Sequence, residues 1–204
     1  MTAMTQQYFS IKHSLSVNIE PVSIDQVPTS RLALENEMPI PFKMANDVAE
    51  IDSNALRSIR NIGEQADALA DFLQMQNNKI NLIMGYVLAQ QDHPESRFDT
   101  SVFGAGEVKF LAHGDLSLDQ AVRIKIFLPN DSSAIYCYGI ISAREVQETD
   151  PTLIEYTASY TRIRDIDREI LIRATLRIQQ LQLKQRAELR QQNDLQNDQQ
   201  HNPQ

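Results

Sequence analysis

Four histidines, His13, His93, His113 and His201, are the residues best suited to metal or acid–base chemistry, and their spacing excludes most of it. None lies three or four residues from another, and no HExxH occurs. The single cysteine, Cys137, allows neither a paired-thiolate zinc site nor an intramolecular disulfide. Ser101 stands in DTSVFG, not in the GxSxG elbow that exposes an acyl-transfer nucleophile. Gly104-Ala105-Gly106 opens like a dinucleotide fingerprint, but position 109 is lysine and no βαβ unit follows. There is no GxxxxGK(S/T) phosphate loop. Asp165 and Asp167 form a carboxylate pair better suited to the positive start of a helix than to proton transfer. The residues therefore point to a protein that is not an enzyme, holds no metal and requires no cofactor.

Composition narrows the class further. The chain has 204 residues, 42% apolar and 23% charged, which suits one globular domain with an appended element. A formal net charge of -8 and a pI near 5.0 argue against affinity for nucleic acid or anionic membrane. The opening MTAMTQQYFSIKH has no basic patch before an apolar run, so no signal peptide is expected. Every apolar stretch is shorter than the roughly 20 residues of a membrane span. The expectation is an acidic, bacterial-type cytoplasmic protein with no membrane insertion.

The elements that must position these residues fall into six segments. In 7–20, Phe9, Ile11, Leu15, Val17 and Ile19 recur mostly at every second position, which predicts one half-buried strand. Residues 21–45 carry Pro21, Pro28, Pro39 and Pro41 and read as an extended connector. Over 46–92 the period becomes helical and heptad. Ile59, Ala66, Leu73, Ile80 and Val87 take position a; Ala55, Ile62, Leu69, Gln76 and Ile83 take position d. The flanking e and g positions include Leu56, Ala70, Met84 and Phe72, with Lys79 the one clear charge. Apolar flanks widen the face to be buried, which favours a bundle of three or four helices over a pair. Gln76 has two readings: a buried amide that fixes register, or a side chain exposed where the helix bends.

From 96 to 164 the strand signature returns in SRFDTSVF, EVKFLA, AVRIKIFLP, AIYCYGIISAREV and LIEYTASYTRI. Brief turn clusters between short strands predict an antiparallel sandwich or small barrel. In AVRIKIFLP, Val122, Ile124, Ile126 and Leu128 face one way while Arg123 and Lys125 face the other. A last helix is expected over 165–190, with an apolar stripe at Ile170, Leu171, Ala174, Ile178 and Leu181. The tail 191–204, QNDLQNDQQHNPQ apart from its first residue, is expected to be disordered.

Asp99-Thr100-Ser101-Val102-Phe103-Gly104 resembles the (D/N)xSxxG motif of PilZ domains, small bacterial β-barrels known as cyclic di-GMP receptors. Strands before and after it, VRIKIFLP, YCYGIIS and the ending YTRIRDIDREILIRATLRIQQLQ fit the later strands and closing helix of that family. The resemblance implies an α+β fold, with a PilZ-like antiparallel barrel whose first strand is YFSIKHSLSVNI. The heptad helix would be inserted between the first and second strands. That layout is similar to the tetrameric PilZ proteins, so a homo-oligomer, a tetramer above all, is implied. Oligomerisation would run through Ile59, Ile62, Ala66, Leu69, Leu73, Gln76, Ile80, Ile83 and Val87.

One departure stands out. Receptors of this family carry RxxxR before the first strand, whose arginines grip the phosphates as bidentate cations. Here Gln6 and Ser10 occupy those places, no arginine precedes Arg31, and Lys12 and His13 lack the same fork. Two functions follow. One is a degenerate PilZ-like scaffold that acts through an unidentified protein partner in type IV pilus, motility or biofilm control. The other is a true cyclic di-GMP receptor using Asp99, Ser101, Gly104 and basic groups such as Arg97, Arg31 or the last helix. Read on its own, the motif is a turn: an aspartate in an Asx-type turn and a glycine at positive φ.

Overall fold

The computed structural model describes residues 8–45, 64–114, 116–129, 132–148 and 150–200, with 64–66 and 191–200 described in their backbone only. Among the described residues there are seven strands: β1 (Ser10–Lys12), β2 (Ser16–Pro21), β3 (Arg97–Gly104), β4 (Glu107–His113), β5 (Ala121–Leu128), β6 (Ser133–Val146) and β7 (Leu153–Arg162). The helices are α1 (Arg31–Glu37), α2 over 40–45, α3 (Glu64–Ala89) and α4 (Asp165–Gln200).

All pairings are antiparallel, in the order β1-β3-β2-β5-β6-β7-β4, and β3 also pairs with β4. That extra pairing closes the sheet into a barrel. β1 and β2 run along the same strand, β1 at Val102–Gly104 and β2 at Arg97–Asp99, so they form two halves of one interrupted first strand. The barrel is thus six-stranded, with α3 inserted after its first strand. Sequence alternation predicts one strand over 7–20; the break at His13–Leu15 arises because Thr100 captures the backbone there. Its hydroxyl donates to the His13 carbonyl at 2.7 Å and accepts from the Leu15 amide at 2.9 Å.

The barrel interior is packed with Val17, Ile19, Phe103, Phe110, Val122, Ile124, Ile126, Ile135 and Tyr156. α4 closes one end, burying Ile170, Leu171, Ala174 and Ile178 in the same core. A second apolar layer lies on the outer face of β5 and β6, where Ala121, Phe127, Ala134, Tyr136 and Tyr138 meet Leu34, Met38, Phe42, Met84 and Leu88. β5 is therefore covered on both faces, and even Lys125 is buried, where alternation predicted a half-exposed strand.

Two boundaries differ from expectation. The connector over 21–45 is not extended throughout: Ser30 caps α1 by accepting from the Ala33 amide at 3.1 Å, and Pro39 immediately precedes α2. A helix of seven residues, α1, and a stretch broken by Pro39 and Pro41 leave no sustained period to detect. The last helix does not stop at 190 but runs to Gln200. Five glutamines and a leucine among 191–200 are good helix formers beside four weaker asparagine and aspartate residues, and no proline lies between Pro151 and Pro203, so a segment with little to bury still carries helical backbone.

Candidate functional site

The motif strand β3 turns Arg97, Asp99 and Ser101 outward, while Phe98 packs on the barrel core and Thr100 is buried. Asp99 lies within β3 opposite Ser16, so it sits in a ladder, not in an Asx turn. Nor does Gly104 need a positive φ, since Gly114 is the one glycine so placed among the described residues. Gly104 is required by closeness: a Cβ there would stand 2.6 Å from the Phe9 carbonyl oxygen and 2.9 Å from the Ser10 Cβ. Its role is to let β1 pair with β3.

The outward side chains are engaged by carboxylates. The Ser101 hydroxyl donates to Glu155 Oε1 at 2.5 Å. Arg97 makes a two-point contact with Asp92, Nε to Oδ1 at 3.1 Å and the other nitrogen to Oδ2 at 2.7 Å. This partner's hydrogen bond and charge raise the Arg97 pKa above its ordinary value. A cavity of about 530 Å³ lies beside Asp99, lined by Ser14, Arg97, Phe98, Asp99, Thr100 and Leu111. Arg31 is elsewhere, bound to Glu35 at 3.3 Å and to Asp165 at 2.5 Å, which ties α1 to the start of α4. Asp165 and Asp167 serve as ion-pair partners: Asp167 is fully buried and takes both prongs of Arg164, at 2.8 and 2.7 Å. Lys12 is exposed on β1, and Gln6 lies outside the described residues.

Asp92 has a second duty that spacing did not reveal. Asn18, fully buried on β2, donates to Asp92 Oδ1 at 2.8 Å and to the His93 carbonyl at 3.1 Å, and accepts from the His93 amide at 3.0 Å. The chain leaving α3 is therefore clamped to the barrel beside the motif. Next to it, Glu20 binds both Arg123 and Lys125, the latter at 3.1 Å, and Lys125 also donates to the Gln91 carbonyl at 3.4 Å. Burial raises the Glu20 pKa, but the hydrogen bonds and charges of Arg123 and Lys125 outweigh it and leave the carboxyl below its ordinary value. These groups line a cavity of about 720 Å³ with Tyr136, Gln91 and His93. The only sequence signal for this network was an asparagine between Val17 and Ile19, a residue type depleted in strands.

The oligomerising residues lie on α3. Ile59 and Ile62 fall outside the described residues, and Ala66 is described in its backbone only. Leu69, Leu73, Ile80 and Ile83 project from one side with exposures of 36–63%, while Gln76 and Val87 are half-buried. The e positions differ from expectation. Ala70, Asn77 and Met84 are buried, and Met84 with Leu88 packs on the chain's own barrel, so that flank anchors α3 to its own domain.

A closed six-stranded antiparallel barrel, with a long helix inserted after its first strand and a C-terminal helix across one end, is a PilZ-like α+β fold. In particular, the chain is similar to a tetrameric PilZ domain from Xanthomonas campestris that self-assembles through a helical bundle. The identity is 10% and the TM-score 0.56, over 88% of this chain and 92% of that one. It is also similar to the Bacillus subtilis inhibitor of motility MotI/DgrA, with 14% identity, a TM-score of 0.45 and coverage of 85% of this chain; the match spans about half, 51%, of that protein's length. No protein-family model matches the chain, and no curated protein matches it in sequence.

Proposed function

We propose that the chain is a non-catalytic, PilZ-like regulatory scaffold that assembles through α3, most favourably as a tetramer, and acts through a protein partner with little or no dependence on cyclic di-GMP. A cytoplasmic setting and a role in type IV pili, motility or biofilm belong to this reading. The observation that carries it is the apolar stripe of Leu69, Leu73, Ile80 and Ile83, exposed on a helix already anchored by its other side. Fully burying an exposed leucine or isoleucine contributes roughly 1.5–3 kcal/mol, and these four, 36–63% exposed, still have about half of that to gain in an interface. No helix among the described residues is long and apolar enough to cross a membrane, and the net charge of -8 disfavours nucleic acid.

Electrostatics support the weak nucleotide dependence. Arg97 is held by Asp92, and Ser101 faces Glu155, so a phosphate arriving at the motif meets Asp99 and Glu155 with no unengaged arginine fork beside them among the described residues. Losing several charge-assisted contacts of roughly 1.5–3 kcal/mol each removes many orders of magnitude in affinity. The receptor reading draws on the cavity beside Asp99.

Leu69→Glu and Ile80→Glu test the assembly by light scattering. Each puts a carboxylate into the stripe without touching the barrel core, so the native mass should fall to that of the single chain, 23.2 kDa. An oligomer of unchanged mass in both variants would contradict the stripe as interface.

A further inference from the structure

We propose that the cavity of about 720 Å³ at the exit of α3 binds a small monocarboxylic acid with an apolar body, at a place separate from the motif. Its volume lies in the roughly 300–1,000 Å³ range of small-molecule sites. Asp99 and Ser101 do not line it, and Phe98 is the one residue it shares with the cavity beside Asp99. The ladder between β2 and β3 ends at Asn18 and Arg97, and beyond it Glu20, Pro21, Glu95 and Ser96 line the cavity.

Two kinds of wall meet there. Ile19, Phe98, Ala112, Leu116 and Tyr156 supply apolar surface. The rings of Phe98 and Phe110 lie 5.2 Å apart and those of Phe110 and Tyr156 5.7 Å apart, so this wall is fixed by the packing of the barrel core. The other wall is the trio of Glu20, Arg123 and Lys125. One carboxylate faces two cations, and side-chain exposures of 20%, 36% and 7% keep all three mostly out of water. The trio carries one positive charge in excess, and a buried charge is costly until an ion of opposite sign meets it. Glu95 also lines the cavity, but at 76% exposure and 3.7 Å from His93 it is a solvated charge at the rim. Glu37 accepts from the Tyr136 hydroxyl at 3.3 Å and does not line the cavity.

Charge and donors select the ligand. One excess positive charge matches a carboxylate, whereas a phosphate dianion brings one negative charge too many. Arg123 spends Nε and one terminal nitrogen on the same oxygen of Glu20, which leaves N–H donors on its terminal nitrogens for a second acceptor. An acid held there lays its apolar body on Phe98, Leu116 and Tyr156 and removes that surface from water. Gln91 and His93 line the same cavity, and the Gln91 carbonyl accepts from Lys125. A bound acid therefore touches the segment by which α3 is clamped to the barrel.

Calorimetric titration of the full chain with octanoate, phenylbutyrate and naphthoate tests the site, each acid beside its uncharged primary amide. At least one acid should bind with a Kd below about 1 mM, and its amide about tenfold or more weakly, as the loss of one charge-assisted contact requires. Arg123→Gln should weaken binding of that acid by a similar factor, and Glu20→Gln should tighten it, because the competing carboxylate is gone. The amide comparison uses the wild type, so it decides the matter even where a variant fails to fold. Hydrogen exchange with the acid bound should slow at 18–21 and 91–96. No saturable heat from any of the three acids, an amide that binds as well as its acid, or two variants that shift affinity the same way would overturn the proposal. Slowed exchange confined to 69–83 would place the acid on the exposed stripe of α3 and overturn it as well.

Discussion

Glu20 shows how the charges on this barrel are used. One carboxylate balances two cations, and Lys125 has a side chain only 7% exposed. Its lowered pKa makes stability depend on acidity in a defined direction. The unfolded chain binds the proton near the ordinary value of 4.5, and the folded chain binds it lower. The contribution is fully present above that ordinary value and is lost as pH falls through the lowered folded value. Urea unfolding should show Glu20→Gln less stable than wild type by about 1–3 kcal/mol at pH 7, since it leaves Lys125 buried with a weaker partner. The gap should narrow below about pH 4. An equal gap at pH 3 and pH 7 would contradict the assignment. Arg97 and Ser101 follow the same logic, each engaged by a carboxylate from another segment. Their partners, Asp92 and Glu155, were invisible in the sequence because nothing in local spacing reports a contact made by folding.

Between elements, the decisive joint is the exit of α3. Asn18 spends its whole amide on the 92–93 segment, and Arg97 and Lys125 hold the same turn from β3 and β5. An inserted helix held only by Met84 and Leu88 would be free to swing; these polar bonds fix its direction relative to the barrel. Asn18→Ala leaves the His93 amide and Asp92 without that partner in a closed site, at a cost of about 1–3 kcal/mol. For a chain of this size that lowers the melting temperature by roughly 2–10 °C. Hydrogen exchange should rise at 90–93 more than in β5 or β6. Uniform loss of protection across the barrel would mean that the clamp is not local. The helices of the connector belong to the same joint, since α1 and α2 supply the outer apolar layer that α3 also enters.

At the scale of the molecule, much was legible. Alternation in AVRIKIFLP and its neighbours pointed to an antiparallel sandwich or small barrel, steps of three and four pointed to the long helix described over 64–89, and the resemblance supplied barrel closure and the place of the helix in it. The outer layer was not legible, because Arg123 and Lys125 mark the outer face of β5 as polar, and only the folded chain buries Lys125 beside Glu20 and covers Ala121 and Phe127 with the helices. The motif was legible as a string but not in its use: Asp99 lies in a ladder, and Gly104 admits β1. What the whole molecule presents is a PilZ-like barrel in which Arg97, beside the motif, is paired with Asp92, and an apolar helix side that is exposed at Leu69, Leu73, Ile80 and Ile83. The most direct measurement is a calorimetric titration of the full chain with cyclic di-GMP at physiological salt. The expected result is no saturable heat at ligand concentrations up to about 1 mM, as a lost phosphate grip of several kcal/mol requires. Micromolar binding that disappears in Asp99→Ala would contradict it and make the chain a nucleotide receptor.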